Sequence, residues 1–281
     1  MIKDITIGQY FPGDSIIHKL DPRVKIVVTL IYIAALFTCR SFLPLIILTA
    51  LVIFSVIVSK IPVKTVFKGL KMVFVLVCFT AALQIFYNNN GNVLWKPSDK
   101  LDFAVTDSGI YSAIFITIRI FSLILSGSLM VNTTSPTMLT DAIERLLSPL
   151  TLFKVNVHSL AMMMTIALRF IPTLIEEIDI IMSAQKARGA QLETGSLKER
   201  AKALIPVFIP LFVNSFRRAY ELAFAMECRC YTGGKGRTRL KVMKVRAADV
   251  LVLVFMLVIL AGTIFSAVYD FDGIFLLKSV L

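Results

Sequence analysis

Residues 235–269 read KGRTRLKVMKVRAADVLVLVFMLVILAGTIFSAVY. Six lysines and arginines crowd the first twelve positions, and from Ala247 to Tyr269 Asp249 is the only charged residue. A helix needs about 20 mostly apolar residues to cross the roughly 30 Å hydrocarbon layer. Basic residues flanking such a run stay on the inner side of the membrane. This one stretch therefore predicts a transmembrane helix over Ala248–Tyr269, entered from inside.

The whole chain agrees. Of its 281 residues, 57% are hydrophobic and 17% charged, with a mean hydropathy of +0.81. Soluble domains average about 45–50% apolar and about 25% charged. The balance excludes a single water-soluble domain, a disordered chain and a disulfide-stapled scaffold. Cys39, Cys78, Cys228 and Cys230 show no framework spacing.

Four more stretches suit a bilayer: Ile26–Phe42, Leu43–Ser59, Met72–Tyr87 and Ile110–Val131. The first two meet at a turn around Arg40, Ser41 and Pro44. The third is short, and Lys68 and Lys71 can extend to the interface from its start. Five spans place 25 Lys and Arg inside. Arg40, Lys96, Lys100 and Lys278 lie outside, and Arg119 within a span. The short loops still favour the inside by 8 to 4. The amino terminus is expected inside and the carboxy terminus outside. The net charge of +12 then reads as topogenic and lipid-facing, not as a nucleic-acid surface.

Residues 132–246 are too long for a loop and predict three helices. The first starts at Ser135 as N-cap with Pro136 behind it and ends at Ser148-Pro149. Its apolar positions recur at helical spacing, as in an interfacial helix. The second spans about 156–190 and contains Pro172. Its apolar run Ala161–Ile175 and the later run Ala203–Val213 are both placed on the cytoplasmic side, because spanning by both would put Lys186, Arg188, Lys198, Arg200 and Lys202 outside. The third opens with the Ser196-x-x-Glu199 capping box, contains Pro206 and Pro210, and is expected to run to Tyr231 before Gly233-Gly234. Pro172, Pro206 and Pro210 are hinge candidates, because an interior proline removes a helix hydrogen bond.

Both long helices end on an arginine between small residues: Ala187-Arg188-Gly189 and Cys228-Arg229-Cys230. If the helices run antiparallel or cross, these ends lie tens of ångströms apart. A basic C-cap and a docking fork for carboxylates or carbonyls are both open on spacing alone.

Three motifs carry a family resemblance. They are Gly8-Gln9-Tyr10-Phe11-Pro12-Gly13-Asp14-Ser15 with His18-Lys19-Leu20-Asp21-Pro22-Arg23; Thr133-Thr134-Ser135-Pro136 with Ala142-Ile143-Glu144-Arg145-Leu146-Leu147-Ser148-Pro149; and Ala167-Leu168-Arg169-Phe170-Ile171-Pro172 leading to Ala184-Gln185-Lys186-Ala187-Arg188-Gly189. In this order they resemble the transmembrane T component of energy-coupling factor (ECF) transporters. The resemblance implies an all-α polytopic membrane protein. It would have about five transmembrane helices and a three-helix cytoplasmic coupling domain, divided as 1–131, 132–246 and 247–281. It implies a bacterial cell membrane location and two kinds of partner, namely two ABC ATPases that bind ATP and Mg and a small substrate-binding integral membrane protein. It implies import of a micronutrient, a vitamin before a metal ion. It also implies ATPase docking at Ala187, Arg188 and Gly189, and at Arg229 with Cys228 and Cys230, where only the arginine matches the family motif.

Other chemistry is thin. Residues 233–238 lack phosphate-loop spacing, so no ATP hydrolysis is expected of this chain. No zinc-protease motif occurs, and Cys228-x-Cys230 reads as small packing residues more than as a metal or redox pair. No metal or cofactor is expected. Arg119 is the one charge deep in a span, either functional or bonded to a helix end or carbonyl. The Met162–Met164 run is expected to pack in a core, with an adaptable partner surface as its alternative. Two rival functions remain: an ABC importer permease with its own substrate path, and a secondary transporter, which would want internal repeats.

Overall fold

The computed structural model describes residues 10–87, 93–95, 105–154, 156–190, 196–233 and 243–269. Gly8 and Gln9, Lys96, Lys100, Lys278 and most of the 235–246 basic run lie outside the described residues, as do the side chains of Lys68 and Lys71. Described residues within Gly8–Leu139 and Met243–Leu281 form one compact unit, and those within Thr140–Val242 form another.

The first unit holds α1 (Ile16–Lys19), α2 (Pro22–Thr38), α3 (Phe42–Ser59), α4 (Val63–Tyr87), α5 (Asp107–Thr133) and α9 (Ala247–Val268). A two-stranded ribbon, β1 (Val93–Trp95) against β2 (Val105–Thr106), precedes α5. The protein is an all-α polytopic membrane protein.

The starts of α2 and α5 follow from local chemistry. Asp21 caps α2, its Oδ1 accepting from Arg23 N at 3.0 Å, and Pro22 takes the first helical position, where its missing N–H costs nothing. Thr106 caps α5 through Gly109 N. The Tyr10–His18 motif folds on itself. His18 Nε2 lies 3.0 Å from the Phe11 carbonyl, so it carries the proton, and Nδ1 accepts from Ser15 Oγ at 2.7 Å. A Cβ on Gly13 would lie 3.0 Å from the His18 ring, so glycine makes that closure possible.

Apolar packing alone does not drive helices together in lipid, because the tails are as apolar as leucine; small and hydroxyl residues at the contacts do. The interior follows this rule. Ala35, Leu36, Leu45, Leu48, Leu125 and Met256 are buried together. Ser122 is fully buried and meets Thr49 Oγ1 at 2.9 Å. Tyr32 OH donates to the Leu48 carbonyl. Asp249 closes the start of α9 by accepting from Arg246 N at 2.6 Å, and it also accepts from Asp21 N at 2.8 Å, joining the starts of α2 and α9. Outward residues such as Phe54, Ile57, Phe79, Leu251 and Val258 are exposed, as a lipid-facing surface requires.

The spans differ in detail from expectation. α3, α5 and α9 are long and apolar enough to cross a membrane, and Val73–Ile85 within α4 is a shorter apolar helix. The first expected span ends early. α2 stops at Thr38, and Ser41, in an extended conformation, caps a new helix at Phe42 in which Pro44 falls within the first turn. α7 (Val157–Ala187), expected on the cytoplasmic side, also meets the length and composition of a span. Of its five Asp, Glu, Lys and Arg residues, Glu176, Glu177, Asp179 and Lys186 follow Pro172, and only Arg169 precedes it.

The second unit contains the end of α6 (Pro136–Leu146), a 3-10 turn at Ser148–Phe153, α7, and α8 (Leu197–Cys228). The Ser196–Glu199 capping box forms in both directions. Glu144 on α6 holds His158 Nδ1 on α7 at 3.0 Å.

Candidate functional site

α7 and α8 end in the same device. Arg188 is the C-cap of α7, Gly189 N donates to the Lys186 carbonyl at 3.0 Å, and Ala190 N donates to the Gln185 carbonyl at 3.0 Å. Arg229 is the C-cap of α8, Cys230 N donates to the Glu227 carbonyl at 2.8 Å, and Tyr231 N donates to the Met226 carbonyl at 3.0 Å. Both sets of bonds make a Schellman motif, which satisfies the orphan carbonyls of a helix end and needs a left-handed residue after the cap. Gly189 (φ 85°) and Cys230 (φ 54°) supply it. The glycine of Ala-Arg-Gly thus has a backbone reason. In the second motif cysteine occupies the same strained place. α8 accordingly stops at Cys228 and not at Tyr231, because the left-handed step at Cys230 breaks the ladder before Gly233.

All six residues, Ala187, Arg188, Gly189, Cys228, Arg229 and Cys230, are exposed. Among the described residues neither guanidinium has a hydrogen-bond or ion-pair partner. Each is a free five-donor fork at the negative end of a helix dipole, suited to carboxylates or carbonyls of another molecule.

α7 and α8 lie antiparallel. Gln185 Nε2 reaches the Pro206 carbonyl at 3.4 Å, while Glu177, two turns back on α7, reaches Asn214 at 2.6 Å and Arg218 at 3.1 Å, further along α8. Arg188 therefore sits beside the Pro206 region. Arg229 lies 23 residues further along α8, about 35 Å of helix at 1.5 Å per residue. The two arginines thus sit at opposite ends of one helix pair.

The helices run unbroken through Pro172, Pro206 and Pro210. Pro210 has no N–H, so the Pro206 carbonyl four residues earlier lacks its helical donor. The Gln185 side chain approaches that carbonyl from α7, so the proline pair is also a contact point between the helices.

Arg119 is half-buried on α5. Its guanidinium donates to the carbonyl of Cys39, the C-cap of α2, at 2.6 Å, and lies 4.7 Å from the Phe115 ring centroid. This is a bond to a helix-end carbonyl with a cation–π contact beside it.

Sequence reading missed three features. Glu177, Asn214 and Arg218 form a polar contact between two helices, which no single-helix pattern reveals. Asp249 serves two helix starts. Phe208, Phe212, Phe216, Tyr220 and Phe224 recur every fourth residue on α8, each at least 60% exposed. Their spacing was legible, because residues four apart share a helix face. The core reading of the methionines also fails within the chain, since Met163 and Met164 are exposed. Among the described residues no group of three or more His, Cys, Asp or Glu is placed to hold a metal.

These features define a polytopic membrane protein carrying a pair of antiparallel, arginine-capped helices. Sequence comparison then shows the family. The model described as Cobalt transport protein (CbiQ) matches residues 13–240. The Energy-coupling factor transporter transmembrane protein EcfT of Clostridium kluyveri is 52% identical over 270 residues, covering 96% of this chain and 99% of that one. The protein of the same name from Ruminiclostridium cellulolyticum is 51% identical over 252 residues (90% and 93% covered), and that of Bacillus subtilis 41% over 261 (93% and 97% covered). The chain belongs to this family, the transmembrane components of energy-coupling factor transporters.

Proposed function

We propose that the chain is the coupling subunit of an ATP-driven micronutrient importer. One ABC ATPase engages each arginine-capped helix end, and a small substrate-binding integral membrane protein is the third kind of partner. The observation that supports this most is the pair of exposed guanidinium forks at opposite ends of one antiparallel helix pair. A single ATPase offers one site per copy; two forks about 35 Å apart along the helices suit two copies. ATP and Mg belong to those ATPases, and this chain hydrolyses nothing. Closure of the ATPase pair would shift the two ends, a change that needs contacts differing between the two ATPase states.

The aromatic face of α8 suits the membrane partner. A continuous apolar face left open in the folded chain is a surface for another protein or for lipid. The importer reading puts the amino terminus and the coupling domain, residues 132–246, in the cytoplasm and the carboxy terminus outside. The family description names cobalt and the relatives' names specify no cargo. We place the cargo among vitamins before metal ions, and its identity is set by the partner subunit. Cobalt uptake by the purified assembly without vitamin uptake would displace that choice.

Native mass spectrometry of the gently solubilised assembly tests the composition. One copy of this chain with two ATPases and one small membrane protein is expected. A homodimer of this chain with two ATPases would favour a permease, and a chain without ATPases a secondary transporter. The double variant Arg188→Ala/Arg229→Ala should lose both ATPases; full retention with normal uptake overturns the docking reading.

A further inference from the structure

We propose that Glu177 is a positioning residue, the polar pivot that locks α7 and α8 into one rigid body so that the two arginine ends move together. The proposal rests on the coupling role above. Glu177 lies on α7 ten residues before Ala187, and its side chain is 12% exposed. Its Oε1 accepts from Asn214 Nδ2 at 2.6 Å. Its Oε2 lies 3.1 Å from a terminal nitrogen of Arg218, an ion pair without the alignment of a hydrogen bond. Asn214 and Arg218 are four apart on α8 and so share a face. Arg217 donates to Asn214 Oδ1 at 3.5 Å, which orients the amide so that its NH2 points at Glu177.

A second contact sits eight residues on. Gln185 Nε2 approaches the carbonyl of Pro206 that Pro210 leaves without a helical donor. Gln185 also supplies the carbonyl that accepts from Ala190 N in the cap holding Arg188. The Arg188 end is thereby tied to α8 through one residue. One contact alone would leave the helices free to turn about it; two contacts eight residues apart, about 12 Å at 1.5 Å per residue, fix both register and angle.

The contact set also explains why α8 tolerates two prolines in its first half. A helix weakened there would flex alone, and the displacement of one end would not reach the other. With α7 braced across Pro206 and Glu177 gripping the next two turns, the pair resists that bending. Among the described residues Glu177 is the one carboxylate bridging two α8 side chains, and losing it removes the acceptor of the Asn214 NH2 and the ion-pair partner of Arg218.

The test uses the full chain in lipid nanodiscs. Spin labels borne on unnatural amino acids at the exposed positions Ser183 and Ala225 report the separation of the two ends. One narrow distance population is expected for the native sequence, and a broadened or split one for Glu177→Ala. Glu177→Gln retains an acceptor for Asn214 and should broaden less. Glu177→Arg with Arg218→Glu should narrow the distribution again. In the reconstituted complex, Glu177→Ala should lower substrate moved per ATP hydrolysed by about tenfold, within the range by which one residue alters coupling between sites, while ATP hydrolysis persists. A general folding defect would lower both together, and the charge swap would not rescue it. An unchanged distance distribution in Glu177→Ala, or an unchanged ratio of transport to hydrolysis, overturns the pivot. The distance outcome is independent of the docking reading, which stands or falls on ATPase retention by the Arg188 and Arg229 variants.

Discussion

Gly189 and Cys230 hold equivalent places in two helix ends. Each follows an arginine C-cap, each has a positive φ, and each donates its N–H back to the residue three before it. Glycine adopts this conformation freely, whereas a side chain at that φ costs about 1–2 kcal/mol.

The strain predicts opposite outcomes for two substitutions. Cys230→Gly should stabilise the α8 end by up to about 1 kcal/mol, the part of the αL cost not lost to a freer unfolded chain. Gly189→Ala should weaken the α7 end by about 1 kcal/mol through φ alone, since a Cβ there meets nothing within 4 Å. Hydrogen exchange at the amides of residues 186–190 and 227–231 checks both. Equal effects at the two ends would contradict the assignment.

Lysine should not replace arginine at the caps. Arg188→Lys and Arg229→Lys keep the charge and lose the planar fork. Each should weaken ATPase association by about 2 kcal/mol or more, the size of an interface hot spot. Co-purification at graded salt measures it, and a lysine variant that binds as the native chain does would show that charge alone suffices.

Arg119 should matter to stability and not to assembly. Arg119→Leu removes the donor to the Cys39 carbonyl at the end of α2 and should lower stability by about 1–3 kcal/mol, the cost of a buried polar group left unmade. Thermal unfolding in nanodiscs reports this. ATPase retention should be unchanged; its loss would assign Arg119 a part in coupling.

The aromatic face of α8 should select the membrane partner. Phe212→Ser and Phe216→Ser, whose rings lie 5.0 Å apart, should each weaken capture of the small membrane protein by about 2 kcal/mol while leaving both ATPases bound. Pull-down from each end of the complex separates these losses. Full retention of the small protein would give this face to lipid instead.

Much of the architecture is a local matter and was legible residue by residue. Apolar runs of bilayer length, Asp21-Pro22, the Ser196–Glu199 box and the arginine-terminated helices each depend on neighbours within a few positions along the chain. Such signals survive in sequence because helix starts and spans are decided by short-range hydrogen bonding and by burial of the run as a whole. Tertiary structure alone decided how the helices meet. The pairing of Glu177 with Asn214 and Arg218, the approach of Gln185 to the carbonyl freed by Pro210, the shared use of Asp249 by two helix starts and the bond from Arg119 to Cys39 join residues 21 to 228 positions apart. Each depends on register and crossing angle, set by the summed packing of whole faces and not by any local pattern.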